Sequence, residues 1–311
     1  MSVPVPLVIG LDVGGSSVKY VAAALGSAPG DAPQVLRRGT LATPGRRPVA
    51  GLVAAVAEAC GSDEVHALAV SIPGLIDSGT GRVIRVANLP ELDGVALQEE
   101  LASALSLPVR VINDGHAAAI AEARWGSGQG RADVFTLALG TGIAGAHVLD
   151  GQVRVGANGS AGELGHVVVE PGGARCSCGQ LGCLETIVGA PALQAAWRDA
   201  GGSGSPVELL RAFGDGDPRA VAVVERAASA LADAILTLLA LVDPGCVVIG
   251  GGLASAPHRL VLRAAQLVAE RASFHQVPPI LPAALGRWAG AVGSAATALE
   301  CLGEDALGAT R

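Results

Sequence analysis

The chain has 311 residues, enough for two domains of ordinary size, and half of its residues are apolar. Aromatic residues make up only 2%, so the core has to be built from Ala, Val and Leu. The net charge of −7 and the lack of a basic run argue against a nucleic-acid partner, which would favour a basic patch.

The N-terminal residues carry no positively charged segment of the kind that opens a secretory signal, and they lead directly into an apolar strand. The longest apolar stretch, residues 234–242, is too short to span a bilayer. We therefore expect a cytoplasmic protein with no membrane partner. In that reducing compartment, a cluster of cysteines indicates a metal site rather than disulfides.

The spacing of apolar residues and turn residues predicts an α/β order of elements. In the first third we expect strands over 6–13, 18–25 and 34–42, a helix over 48–60, a strand over 66–72, a minor hairpin near 82–88, a helix over 97–105 and a strand over 108–112. In the remainder we expect strands over 133–139, 143–149 and 152–155, helices over 183–200, 207–213 and 217–241, a strand over 246–249, a helix over 257–272, a strand over 279–284 and a helix over 289–301. Both parts open with a strand, a glycine-rich turn and a hairpin, which indicates a duplicated α/β fold with a cleft between the halves.

Glycine-rich turns follow the first strand of each half, and a glycine run follows a later strand. These residues are Gly14, Gly15 and Ser16 in the first turn, Gly140, Thr141 and Gly142 in the second, and Gly250, Gly251 and Gly252 in the run. Glycine lets the backbone approach a phosphate closely, and successive N–H groups form an anion-binding nest. Plain hairpin turns also use glycine. The repetition in matching places favours nucleotide binding, although neither a Walker loop nor G-x-G-x-x-G is present.

Two charged residues flank the first glycine turn. Asp12 precedes it and is a candidate ligand of Mg²⁺, which binds with a triphosphate through only one or two carboxylates. Lys19, the only lysine of the chain, lies on the outgoing strand. It would either approach the phosphates or remain a solvated surface lysine.

Asn113 and Asp114 end an apolar, β-branched strand and precede a helix that begins at Gly115. Open α/β sheets bind ligands at such strand ends. Taken alone, Asp114 would more simply be the N-cap of the helix. The other motifs of the chain favour a functional carboxylate.

A metal-ligand pattern lies in the segment 162–185. His166 is followed by Cys176, Cys178 and Cys183, and three thiolates with one imidazole suit tetrahedral Zn²⁺. Unrelated free thiols are the alternative. All four ligands come from the protein, so the predicted site is structural. The three other cysteines, Cys60, Cys246 and Cys301, are scattered and predicted to be core or surface thiols.

Together these features resemble the ROK family of repressors, open reading frames and sugar kinases, within the actin-like ATPase superfamily. The resemblance covers nearly the whole chain. Its most specific part is Glu163-x-x-His166 combined with the cysteine knot. The segments that carry it are 12–16, 113–114, 139–143, 162–166, 176–185 and 250–252.

The resemblance implies two RNase-H-like domains around a cleft. The small N-terminal domain would comprise residues 1–114 with about 290–311, and the large domain residues 115–289 with the zinc loop. It implies an ATP-dependent hexose kinase acting on the 6-hydroxyl of a sugar, most simply glucose, with Asp114 as the general base. Sugar hydroxyls would be held by Asn88, Asn113, Asp114, Glu163, His166 and Glu185. Because family members are often dimeric, it also implies a homodimer or higher homo-oligomer.

The chain departs from the family pattern at four positions. Ser16 replaces Thr, His116 replaces Asn, and Ala144 and Ala146 replace glycines. These changes concern the identity of the sugar more than the reaction. Kinases for an N-acetylhexosamine, fructose, allose, an amino sugar or a cyclitol share the same framework.

A sugar-sensing regulator without catalysis is the alternative of another class. Such relatives carry an additional N-terminal DNA-binding domain. The first glycine turn begins so early in the chain that we expect no room for that domain.

Overall fold

A computed structural model describes residues 6–24, 32–45, 47–86, 89–254 and 257–308, with the backbone alone for 303–308. The chain divides into two compact units. The first comprises Met1–Trp125, Val155–Ser160 and Trp288–Arg311, and the second Gly126–Arg154 and Ala161–Arg287. Within the described ranges, no helix is both long and apolar enough to cross a membrane.

The strands and helices alternate as in an α/β protein. The strands are β1 (Leu7–Val13), β2 (Ser17–Ala24), β3 (Gln34–Ala42), β4 (Val65–Ile72), β5 (Leu75–Ile76), β6 (Val83–Arg85), β7 (Val109–Asn113), β8 (Asp133–Leu139), β9 (Ile143–Leu149), β10 (Gln152–Val153), β11 (Val247–Gly250) and β12 (Ile280–Pro282). The helices are α1 (Pro48–Cys60), α2 (Leu97–Leu105), α3 (Asp114–Trp125), α4 (Glu185–Val188), α5 (Ala190–Asp199), α6 (Pro206–Gly214), α7 (Pro218–Leu241), α8 (Arg259–Arg271) and α9 (Ala289–Gly308). The predicted order of strands and helices is confirmed, except that the one helix predicted over 183–200 is two helices.

The two units contain sheets of the same topology. The first sheet has the order β3-β2-β1-β4-β7, in which β1 to β3 form an antiparallel meander and β4 and β7 continue parallel to β1. The second sheet has the order β10-β9-β8-β11-β12, again an antiparallel meander followed by two parallel strands. The predicted duplicated α/β fold is therefore confirmed.

Each unit has a hydrophobic core of its own. Ile9, Leu68 and Leu101 are fully buried in the first, and Leu137 and Leu231 in the second. As the composition predicts, most core side chains are Ala, Val and Leu. These small residues permit backbones to pack closely.

Helix α9 lies directly on the first sheet. A Cβ atom at Gly10 of β1 would lie 2.3 Å from the Ala291 carbonyl oxygen, so only glycine permits this approach. The buried Ser294 hydroxyl donates to the Leu11 carbonyl (3.0 Å). The end of β1, which carries Asp12, is thus fixed from the side of α9.

One predicted helix is wrong. The sequence predicts one helix over 183–200, whereas the structure has α4 and α5, separated at Gly189 in an extended conformation. The break has a local and a tertiary cause. Pro191, in the first turn of α5, has no N–H to donate and is unfavourable inside a continuous helix. In addition, the Ala190 N–H donates to the Gly140 carbonyl (2.8 Å) instead of to a carbonyl of the preceding turn.

Candidate functional site

The first glycine turn presents unused hydrogen-bond donors at its exposed tip. The Gly14 N–H donates to the Ser17 carbonyl (2.9 Å) and closes the turn. In the described part of the chain, the Gly15 and Ser16 amides have no hydrogen-bond partner, and both residues are exposed. Two adjacent free amides of this kind suit an anion.

Asp12 lies at the carboxyl end of β1 and is held on both carboxylate oxygens. Lys19 Nζ is 2.8 Å from Oδ2, and the Ser71 hydroxyl is 3.3 Å from Oδ1. A Cβ atom at Gly290 would lie 2.7 Å from the Asp12 Cγ, so α9 leaves no space on that side. The carboxylate therefore has a restricted orientation, and Lys19 is ion-paired with it rather than solvated alone.

Asn113 and Asp114 lie where β7 passes into α3. The Asn113 Oδ1 accepts from the His116 N–H (3.1 Å), and its Nδ2 donates to the Gly74 carbonyl (2.9 Å). Asn113 thus supplies the N-cap bond that the alternative interpretation assigns to Asp114. The Asp114 Oδ1 accepts from the adjacent Gly115 N–H (2.8 Å).

The parallel strands β1, β4 and β7 bring these residues together at their carboxyl ends. Asp12 of β1 pairs with Ser71 of β4, and Ile72 of β4 pairs with Asn113 of β7. The predicted residues of this unit are therefore brought together, apart from Asn88, which lies outside the described residues.

The second unit repeats the arrangement. The Gly140 N–H donates to the Gly142 carbonyl (2.9 Å), while the exposed Thr141 and Gly142 amides have no partner in the described ranges. Gly251 has a φ of +87°, and a Cβ atom there would lie 2.2 Å from the Leu139 carbonyl oxygen. The glycine run 250–252 therefore lies against the glycine turn, and both end adjacent parallel strands.

The four predicted metal ligands form one cluster in the second unit. Their ligand atoms all lie within 4.8 Å of one another. The His166 Nδ1 is 3.6 Å from the Cys176 Sγ, and the Cys178 and Cys183 sulfurs are 3.7 Å apart. A tetrahedral zinc ion, with Zn–S of about 2.3 Å and Zn–N of about 2.0 Å, requires edges of about 3.5 Å for N···S and about 3.8 Å for S···S. The donor set therefore suits zinc, and these two separations match the edges of a zinc tetrahedron.

The two thiols at the centre of this cluster have opposite acidities. Hydrogen bonding, first from the Gln180 backbone, lowers the pKa of the exposed Cys178 to about 7. Burial raises the pKa of Cys183 to about 12. Of the other cysteines, Cys246 and Cys301 are buried and Cys60 is half-buried, as predicted for ordinary thiols.

Glu163 and Glu185 lie next to the cluster, and both are half-buried. Burial raises the pKa of the Glu163 carboxyl, the Coulombic interaction with His166 opposes that shift, and the interaction with Glu185 adds to it. The loop that holds Glu163 and His166 packs on β9, because a Cβ atom at Gly162 would lie 2.6 Å from the Gly145 carbonyl oxygen. One small cluster therefore contains an imidazole and two carboxylates.

Two of the departures from the family pattern are internal. Burial lowers the pKa of the His116 imidazole, which favours its neutral form. Ala146 is 1% exposed, and its methyl group fills space inside the second unit.

Sequence reasoning missed three residues that shape Asp12 and the first turn. They are Ser71 and Gly290, which contact Asp12, and Thr43, whose hydroxyl donates to the Gly14 carbonyl (2.6 Å). Ser71 has a visible signal, because it is a polar residue within the buried run of β4. Thr43 and Gly290 are remote in sequence and carry no signal of their own.

Two sheets of one topology, with glycine turns after the first strand of each, define an α/β protein of the actin-like ATPase fold. Residues 8–300 match the ROK family. The chain belongs to the ROK family.

Similar proteins include two curated sugar kinases. A glucokinase of Thermotoga maritima is 33% identical over 264 residues, which make up 80% of this chain and 82% of that protein. A kanosamine kinase of Amycolatopsis mediterranei is 36% identical over 241 residues, 76% of this chain and 78% of that protein. The structure of a ROK family glucokinase from Streptomyces griseus, in complex with glucose and AMPPNP, is similar with a TM-score of 0.80 and 29% identity, covering 94% of this chain and 99% of that one.

Proposed function

We propose that this protein is an ATP-dependent hexose kinase that transfers the γ-phosphoryl group of ATP to the 6-hydroxyl of a sugar, with glucose as the first candidate. Sugar kinase activity is the activity of the curated relatives. The observation that carries the proposal is the arrangement of the first sheet. Asp12 lies at the carboxyl end of β1, Asp114 directly follows β7, and only β4 separates these two strands.

On the nucleotide side, the exposed amides of Gly15, Ser16, Thr141 and Gly142 are the proposed phosphate donors. Gly14 and Gly140 close the two turns through their own amides. Asp12 is the proposed carboxylate for Mg²⁺, and Lys19 would neutralise phosphate charge. The glycine run 250–252, which lies against the second turn, carries no side chain that would obstruct the nucleotide. Charge neutralisation and in-line positioning are the main requirements of phosphoryl transfer.

On the acceptor side, Asp114 is the proposed general base. Its carboxylate takes the proton of the sugar 6-hydroxyl as the oxygen forms a bond to the γ-phosphorus, and the bond from that phosphorus to ADP breaks. Asn113 still has one amide hydrogen for a sugar hydroxyl after its bond to Gly74. Glu163, His166, Glu185 and Asn88 complete the proposed set.

We propose a structural zinc ion held by His166, Cys176, Cys178 and Cys183. Bound zinc would supply a fixed scaffold and no activated water, because the four protein ligands fill a tetrahedral shell. With Nδ1 facing the cysteines, the His166 Nε2 remains for a sugar hydroxyl. Elemental analysis of protein purified without chelator is expected to give about one zinc per chain.

An amino hexose is the second candidate acceptor. The observation in its favour is the 36% identity to a kanosamine kinase. Half-buried Glu163 and Glu185 would attract the ammonium group of such a sugar, although they would equally accept hydrogen bonds from the hydroxyls of glucose.

The test is ADP release with Mg-ATP against glucose, kanosamine, N-acetylglucosamine, N-acetylmannosamine and fructose. Turnover with one sugar identifies the acceptor. If zinc-loaded protein binds these sugars but releases no ADP with any of them, the kinase proposal is wrong and a sugar-sensing role replaces it.

Light scattering on the same preparation tests the proposed homodimer, whose mass would be twice the 30.7 kDa of one chain.

A further inference from the structure

Glu185 lies between the cysteine knot, defined as His166, Cys176, Cys178 and Cys183, and the second glycine turn. Its Oε2 accepts from the Ile143 N–H (2.9 Å), the first amide after the turn. Its Oε1 faces the knot, 3.5 Å from the Ser177 hydroxyl and 3.9 Å from the Cys176 sulfur. One carboxylate therefore contacts both features.

The short helix α4 makes the same connection through its backbone. At its N-terminal end, the Cys183 carbonyl accepts from the Thr186 N–H (3.0 Å) and hydroxyl (2.7 Å). Just past its C-terminal end, the Ala190 N–H donates to the Gly140 carbonyl (2.8 Å). A proposed metal ligand thus lies two residues before α4, and the residue that holds the glycine turn lies two residues after it.

The Glu185 carboxylate packs directly against Gly142. A Cβ atom at position 142 would lie 2.7 Å from the Glu185 Oε2. The φ of Gly142 is not positive, so backbone conformation does not require glycine there. The carboxylate therefore occupies the space next to the turn that presents the exposed Thr141 and Gly142 amides.

We propose that Glu185 is a positioning residue that couples the cysteine knot to the phosphate-binding turn, so that metal in the knot strengthens nucleotide binding even without sugar. This inference rests on the proposed function. Without metal, Cys183 and α4 lose their anchor, the Ile143 amide loses a fixed acceptor, and the turn has to be ordered again when a nucleotide binds. Ordering a few residues on binding weakens affinity by about tenfold or more.

The test measures the affinity of Mg-AMPPNP by calorimetry in the absence of sugar. Removing zinc with a chelator is expected to weaken binding about tenfold. Glu185→Ala, which removes the acceptor for the Ile143 N–H, should weaken binding to a similar extent. Chelation of this variant should then weaken binding little further, because both changes break the same connection.

Glu185→Gln is the matched control. The amide oxygen of glutamine still accepts from the Ile143 N–H, while the negative charge near the phosphates is gone. The variant is therefore expected to bind AMPPNP at least as tightly as the wild type. A purely electrostatic effect of Glu185 would instead make both variants bind more tightly, which overturns the proposal.

Other outcomes separate this inference from the proposed function. If zinc-loaded wild type binds AMPPNP and chelation leaves the affinity unchanged, the coupling is wrong but the kinase proposal stands. If zinc-loaded wild type does not bind AMPPNP at all, both are wrong. If chelation unfolds the second unit, the test is the comparison of Glu185→Ala with Glu185→Gln for AMPPNP affinity in zinc-loaded protein. Hydrogen exchange at the Ile143 amide is then the second readout.

Discussion

At the scale of single residues, Asn113 and Asp114 are neighbours whose side chains have different tasks. Asn113 caps α3 and anchors Gly74, which fixes the junction between β7 and the helix. Because the cap bond is made by Asn113, the Asp114 carboxylate is not required for that purpose. A rigid junction that carries a carboxylate is the arrangement that a general base needs.

Replacing Asp114 by Asn tests this division of tasks. The amide keeps the shape of the side chain but cannot take a proton, so kcat is expected to fall by on the order of 10²-fold or more. The affinity for AMPPNP and the unfolding midpoint should stay close to the wild-type values. A variant with near-normal kcat would show that Asp114 is not the base.

Lys19 offers a second residue-scale prediction, because it is the only lysine of the chain. Its ammonium group is paired with Asp12 and its side chain is 24% exposed. An amine-specific acylating reagent can therefore modify only Lys19 and the N-terminal amine. Mg-AMPPNP is expected to protect Lys19 at least several-fold while the N-terminal amine serves as internal control, with peptide mass spectrometry as the readout. Equal modification with and without nucleotide would contradict a role of Lys19 at the phosphates.

At the scale of elements, α3 and α9 pack against each other backbone to backbone. A Cβ atom at Gly293 of α9 would lie 1.8 Å from the Ala117 carbonyl oxygen of α3. Arg124 and Glu300 form an ion pair between the same two helices. The helix that begins at Asp114 is therefore positioned by the last helix of the chain.

Gly293→Ala is expected to destabilise the protein by about 1–3 kcal/mol, because the methyl group overlaps the backbone of α3. The sign of the change in the free energy of unfolding is informative, because the same substitution at an unobstructed helix position stabilises by about 0.5–1 kcal/mol. Gly45→Ala, where no atom lies within 4 Å of the new methyl group, is the control and should leave the unfolding midpoint nearly unchanged. Denaturant titration followed by circular dichroism measures both.

Most elements could be predicted from the sequence, because apolar runs and glycine or proline residues mark their ends. The helix over 48–60 and the strand over 133–139 have the predicted bounds. The break at Gly189 has a signal in the sequence, because Pro191 is unfavourable inside a continuous helix, but the bond from Ala190 to Gly140, which is distant in sequence, could not be predicted. For the same reason, the motif around Glu185 predicts a ligand-binding residue but not its bond to the Ile143 amide, 42 positions away.

At the scale of the whole molecule, the two units have similar sheets but different means of stabilisation. The first unit relies on α9 packed against its sheet, through Gly10 and Ser294. The second has its own core around α7 and contains all four residues of the cysteine knot. A metal bound in the knot therefore acts on the second unit first, because metal binding supplies folding free energy where the ligands are.

Hydrogen exchange followed by mass spectrometry tests this difference between the units. After zinc is removed with a chelator, amide protection is expected to fall in residues 163–190 and in the neighbouring β8 and β9, whereas β1, β4 and β7 keep theirs, because local stability follows local contacts. Cys178→Ser should show the same pattern without chelator and no further change with it. Cys60→Ser, which changes a thiol outside the knot, is the matched control and should respond to the chelator like the wild type. Equal loss of protection in both sheets would mean that the knot stabilises the molecule as one cooperative unit, and unchanged protection throughout would mean that the cluster holds no structural metal.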